Sequence, residues 1–238
     1  MWARAGRGRA DDCGAKGGAW RFAQPGILGA QMPHRDELPT PSKEQMAEMA
    51  AFERIGLDRI LVAASRDAAA RGLELLRGAT VLGFDTESKP TFNRGEVSDG
   101  PHIVQLATLD HAVIFQLHDP ASRAAAAEVL QDPSVLKVGF GLGDDKKRII
   151  AKLGIQPHGI EDLNATFRAR GYRKEMGVRS AVALLFGKRF LKSGKAATSN
   201  WALPQLNEAQ VMYAANDAWA ALRVHMALVP PAKDVGTL

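Results

Sequence analysis

Cysteine is nearly missing from this 238-residue sequence; Cys13 stands alone. No intrachain disulfide can form, which excludes a disulfide scaffold and fits a reducing, cytoplasmic setting. Long hydrophobic runs are missing as well. None reaches the ~18–20 apolar residues that span a bilayer, so no membrane partner is expected. Neither a glycine repeat nor a charge excess is present. With 46% hydrophobic and 24% charged residues, the composition excludes a collagen-like or mostly disordered chain and predicts one sizeable core. The length suits one domain of ordinary size plus an appendage.

Residues 1–41 lack any sustained helical or strand period and hold seven Gly, seven Ala and no Ser. They read as a disordered tail. Arg4, Arg7 and Arg9 hint at targeting, but the apolar stretch of about 7–15 residues that a secretory signal needs is absent. Asp11 and Asp12, with no serine, argue against a mitochondrial presequence. Met32 is an alternative start, which the intact mass of protein from the native host would distinguish. The folded domain is expected over 42–232.

Charge is unevenly spread. The chain carries +5 overall, yet Lys137 to Lys195 holds 14 Lys/Arg against 5 Asp/Glu, leaving −4 for the remainder. A basic block inside a folded region suits an anionic partner such as a phosphate backbone, and suits a solvated helix face about equally well.

From Ser42 onward the punctuation is regular. Ser42 caps a helix expected to reach Phe52; Arg59–Ala64 reads as a strand, and Ser65 caps a helix ending near Gly78. Strands follow at Val81–Glu87, His102–Thr108 and Ala112–Leu117, then a helix over Ser122–Leu130. Next come a strand at Leu136–Phe140, a helix at Asp144–Leu153, a strand at Ile160–Leu163 and mostly helix, the longest over Asn207–Leu228. A strand meander followed by α/β alternation predicts a mixed sheet flanked by helices.

Three short motifs carry chemistry. In Gly83-Phe84-Asp85-Thr86-Glu87 the two acids are i and i+2 on a strand, so they share a face. Close carboxylates raise each other's pKa unless a cation lies between them, and a hard divalent metal is such a cation. By itself Asp-x-Glu also fits a solvated sheet edge. In Tyr213-Ala-Ala-Asn-Asp217 the end residues lie one helical turn apart, among alanines that allow close packing. A buried tyrosine bonded to a local carboxylate would look the same. The third motif, Val138 to Asp145, is a strand broken by glycines that opens a helix. It resembles a dinucleotide-binding turn, with Glu161 or Asp162 where the ribose acid would stand. However, Asp144 replaces the third glycine and would repel a pyrophosphate. One aspartate at a helix N-terminus is ordinary; two are less easily explained.

The order and spacing of these three motifs resemble the DEDD superfamily of 3′–5′ exonucleases, in its tyrosine subgroup, with ribonuclease D and the Werner-type exonucleases. The resemblance covers roughly residues 56–228. It extends to Val104-Gln105-Leu106-Ala107, Lys192-Ser193, Ser199-Asn200-Trp201 and Gln210 through Ala218. It implies an RNase H-like α/β fold with Asp85, Glu87, Asp145 and Asp217 as ligands of two Mg2+ or Mn2+ ions. Asp145 is preferred to Asp144 because Ile149 stands four residues after it. Tyr213 would position the attacking water, and the ions would sit ~3.5–4 Å apart. The implied reaction releases 5′-nucleoside monophosphates from single-stranded 3′ ends of DNA or RNA.

Lys89 and Arg94 in the loop 88–101, and Lys192 and Lys195 around a Ser-Gly turn, are candidate phosphate contacts. Trp201 and Phe84 are candidate base-stacking residues, though core packing explains them better. His111, His158, His225 and Cys13 have no metal-ligand spacing and receive no role. Two other readings are weaker. A non-catalytic nucleic-acid module on the same fold would have lost acids that are all present. A glycosidase barrel would need about 250 residues and another Asp where Gly83 stands.

Overall fold

Residues 38–91 and 99–229 are described by the computed structural model of the chain. The expectations for the tail through residue 37, for Arg94 and for residues 230–232 lie outside the described residues.

The first helix, α1 (Lys43–Glu48), starts where expected, with Ser42 and Gln45 capping it reciprocally. It stops four residues before Phe52, because Ala50–Phe52 pairs with Arg189: the Phe52 N–H donates to the Arg189 carbonyl (2.9 Å), and the Arg189 N–H donates to that of Ala50 (2.8 Å). Phe52 then packs its ring against Phe186 and Trp219. Burying an aromatic ring outweighs one more turn of an exposed helix.

The rest follows the expected order. β1 (Ile60–Ala63) and α2 (Arg66–Leu76) lead to the meander β2 (Val81–Glu87), β3 (Ile103–Ala107) and β4 (Ala112–Gln116). After α3 (Pro120–Gln131) the chain alternates through β5 (Leu136–Gly139), α4 (Gly143–Leu153) and β6 (Ile160–Asp162). It ends in helices α5 (Leu163–Ala169), α6 (Val178–Phe186), α7 (Gly194–Ala197) and α8 (Glu208–Leu228). α3 begins before the expected Ser122 because Asp119 caps it and Pro120 suits its first turn.

The six strands form one mixed sheet in the order β1-β4-β3-β2-β5-β6. β3 is antiparallel to both neighbours, and the other pairings are parallel. One apolar layer holds α5, α6 and α8 against the sheet; the other holds α2, α3 and α4. β2 lies near the centre and alternates between them. Leu82 and Phe84 belong to the α2–α3 layer, while Gly83 meets α8. A Cβ on Gly83 would come within 1.9 Å of the Ala218 carbonyl oxygen. Glycine here, with Ala214, Ala215, Ala218 and Ala221 on α8, lets helix and strand backbones approach closely.

Candidate active site

The period of two that turns Gly83 toward α8 turns Asp85 and Glu87 the same way, at the end of the strand. Close packing of α8 brings Asp217 opposite them. One carboxylate oxygen from each of Asp85, Glu87 and Asp217 lies within 4.8 Å of the others. The cost of this crowding appears in the proton affinities. Burial, then the charges of Asp217 and Asp145, push the Asp85 carboxyl well above the carboxylate range. Glu87 is pushed up to about 9 by burial and then by Asp85 and Asp217. Asp217 is raised by burial, against the pull of Lys192. Its Oδ1 is buried without a hydrogen-bond partner among the described residues. Crowded oxygen ligands with an unpartnered buried atom are a donor set that fits a hard divalent cation.

Asp145 arrives from the opposite layer. It lies in the first turn of α4, and Thr86, which faces that layer between the two β2 acids, donates its hydroxyl to the Asp145 carboxylate. Burial raises the Asp145 pKa, with the Thr86 bond opposing. Asp144 instead is exposed and pairs with Lys147 at 3.2 Å. Of the two, Asp145 is thus the one whose side chain meets β2. Gly141 at φ +70° makes the turn into α4, and the Asp162 carboxylate clamps it by accepting the N–H groups of Gly141 (3.2 Å) and Leu142 (3.1 Å). Asp162 also caps α5. This acid, weighed above as a ribose ligand, is occupied in holding the turn.

Tyr213 is 7% exposed, one turn before Asp217 on α8, and packs on Trp201 at 5.8 Å between ring centroids. Burial and the Asp217 charge push its phenol up, so it keeps its proton at neutral pH. Lys192 Nζ lies 2.5 Å from Asp217 Oδ2 and 4.8 Å from the Tyr213 ring centroid. Burial lowers the Lys192 pKa, but attraction to Asp217 outweighs it and the net shift is upward. Lys192 therefore stays an ammonium beside the acids. The adjoining cleft of about 390 Å³ is lined by Asp85, Asp217, Lys192, Phe140, Asn164 and Met176, among others.

The other candidates are dispersed. Lys195 is exposed on α7 and lines neither this cleft nor the second cavity described below. Lys89 pairs with Asp99 at 3.1 Å in that second cavity. Phe84 is 0% and Trp201 1% exposed, so both are core residues rather than exposed stacking platforms. The supporting stretches have structural roles. Gln210 donates to Ser199 Oγ (3.0 Å) and to the Asn200 carbonyl (3.2 Å), while Asn216 bonds both backbone groups of Ile55. Thr86 and Asp162 were missed as site-shaping residues. The alternation of β2 already placed Thr86 on the face away from Asp85, but not that α4 would be there.

Comparison with known proteins gives the family and the fold. A family model described as 3′-5′ exonuclease matches residues 62–232. A 3′-5′ exonuclease of Arabidopsis thaliana is 25% identical over 153 residues, which cover 63% of this chain and 53% of that protein. Ribonuclease D of Gluconacetobacter diazotrophicus is 29% identical over 194 residues, covering 80% and 47% respectively. The chain thus spans about half the length of these curated relatives. Trypanosoma brucei RNase D, solved in complex with RNA U12, superposes with a TM-score of 0.64 at 20% identity, covering 74% of this chain and 64% of that one. The fold is RNase H-like.

Proposed function

The chain belongs to the 3′–5′ exonuclease family, and on that premise we propose that residues 42–232 form a metal-dependent hydrolase of the tyrosine subgroup, acting at the 3′ end of DNA or RNA. Water and the terminal phosphodiester would yield a strand shortened by one residue, with a free 3′-hydroxyl, and a 5′-nucleoside monophosphate. The carrying observation is the convergence of Asp85, Glu87 and Asp217 within 4.8 Å, from a strand and a helix held together by Gly83.

Asp85, Glu87 and Asp217, with Asp145 from the other layer, would hold two Mg2+ or Mn2+ ions. Such ions supply hydroxide near neutral pH and neutralise charge developing on the phosphate and the leaving oxygen. The chain's own groups do the positioning. Tyr213, protonated because it is buried beside Asp217, offers an O–H to orient the attacking water. Lys192 neutralises part of the acid cluster and, with the acids occupied by cations, is free to face a phosphate oxygen. Lys89 and Lys195 are assigned to strand contacts further from the reaction.

A gel assay tests this reading with 5′-labelled single-stranded DNA, recessed duplex DNA and single-stranded RNA, each with Mg2+, Mn2+ or EDTA. A ladder shrinking from the 3′ end, metal-dependent and absent in Asp85→Ala, is expected. A salt-sensitive gel shift with no cleavage of any substrate would instead make the chain a binding module.

A further inference from the structure

A second cavity of about 450 Å³ is lined by Lys89, His102, His118, Arg123, Lys152 and Trp201, among others, with Asp99 the one acid among the described residues that line it. These residues reach it from just past β2, just before β3, the β4–α3 connection, the first turn of α3, the last turn of α4 and the segment before α8. Among the described residues, three fixed cations face one carboxylate, and that carboxylate is already engaged. Asp99 Oδ1 lies 3.1 Å from Lys89 Nζ and 3.4 Å from His102 Nε2. The Asp99 carbonyl accepts from Lys152 Nζ at 2.7 Å. Arg123 is held by donating Nε to the Leu117 carbonyl at 3.1 Å, which leaves its terminal amino groups as further donors. Trp201 is 1% exposed, and its buried indole N–H has no partner among the described residues. A buried indole usually finds one.

The cavity adjoins the acid cluster. Lys89 is two residues beyond Glu87, about 6–7 Å of extended chain. The His102 N–H donates to the Glu87 carbonyl at 2.9 Å. Trp201 borders this cavity and also packs on Tyr213. A concave wall rich in cations, next to carboxylates that suit a metal, is built for an anion with several acceptor oxygens.

We propose that this second cavity is a phosphate subsite, which holds a backbone phosphate of the bound strand upstream of the 3′ end. The direction of the strand rests on the exonuclease reading; the phosphate chemistry stands on the cavity itself.

The test uses the full chain carrying Asp85→Asn, so that the strand is not consumed, and fluorescence anisotropy with labelled single-stranded 12-mers and dinucleotides of RNA and DNA. Arg123→Gln with Lys152→Gln should weaken 12-mer binding about tenfold and flatten its salt dependence by roughly 0.7 per lost phosphate contact, with less than a twofold change for the dinucleotide. Trp201→Phe, which keeps the ring and removes the N–H, should weaken the 12-mer severalfold. Millimolar inorganic phosphate should compete with the 12-mer for the parent protein and not for the double variant. Equal losses for both lengths, or none, would overturn the subsite. So would phosphate binding that leaves 12-mer affinity untouched. If the double variant melts early, Lys152→Gln alone replaces it, since among the described residues that side chain donates only to the Asp99 carbonyl. The two readings separate cleanly. Length-dependent binding, with no cleavage by the chain that keeps Asp85, sinks the exonuclease and keeps the subsite; cleavage by that chain with length-independent binding does the reverse.

Discussion

Thr86 bonds both Asp85 and Asp145, whereas Lys192 holds Asp217, and these partners decide what removal of an acid does. Asp217 is 4% exposed and bonded to Lys192, whose side chain is 26% exposed and can turn to solvent when its partner is lost. Asp217→Ala should abolish hydrolysis while thermal unfolding stays cooperative, because the change removes a ligand and a source of repulsion rather than a core contact. Full turnover in that variant would sink the metal model. Tyr213→Phe keeps the packing on Trp201 and deletes only the O–H. Turnover should fall by on the order of 10²-fold, the scale of a lost proton-positioning group, with little change in Mn2+ affinity measured calorimetrically. A large loss of Mn2+ binding would make Tyr213 a ligand or a structural residue instead.

β2 and α8 form the pair of elements on which the site depends. Their approach is so close that Gly83 has no room for a methyl group: its Cβ would lie 1.9 Å from the Ala218 carbonyl oxygen and 3.1 Å from Leu222 Cβ. Backbone cannot move aside as a flexible side chain can. Gly83→Ala should therefore cost about 1–3 kcal/mol of stability in chemical denaturation. It should also lower activity on the order of 10²-fold while circular dichroism stays native-like, because a shift of α8 carries Tyr213 and Asp217 away from β2. Unchanged activity alongside lost stability would show that the spacing of these two elements does not set the site. At the element scale the helix and strand types were legible from caps and periodicity, including Ser65, Asn207 and the alternation of β2. The end of α1 was not. It depends on Arg189, about 140 residues away, whose backbone pairs with Ala50 and Phe52.

For the whole molecule, the crowded acids make stability a function of pH. Asp85, Glu87, Asp145 and Asp217 all have folded pKa values above their ordinary ones, Glu87 at about 9. The folded state therefore holds more protons than the unfolded chain above about pH 4, and its stability falls as pH rises from there toward 9. A cation that binds only the folded state opposes this loss. Thermal melts in EDTA should show the midpoint dropping from pH 5 to pH 9, and excess Mg2+ should flatten the trend. Identical pH profiles with and without Mg2+ would mean that the acids do not share a cation.

Asp-x-Glu, Gly-x-Gly-Asp-Asp and Tyr-x-x-x-Asp were readable as chemistry because each obeys a local period, and local periods need no knowledge of the fold. Their order along the chain was sufficient for the family resemblance. The sequence could not say that Asp145 enters from the layer opposite α8, that Thr86 meets it there, or that Lys192 takes the second oxygen of Asp217. Nor could it gather Lys89, His102, Arg123, Lys152 and Trp201 around one cavity. Those relations join residues tens of positions apart. They exist only once strands are paired in register and helices are packed on both faces of the sheet.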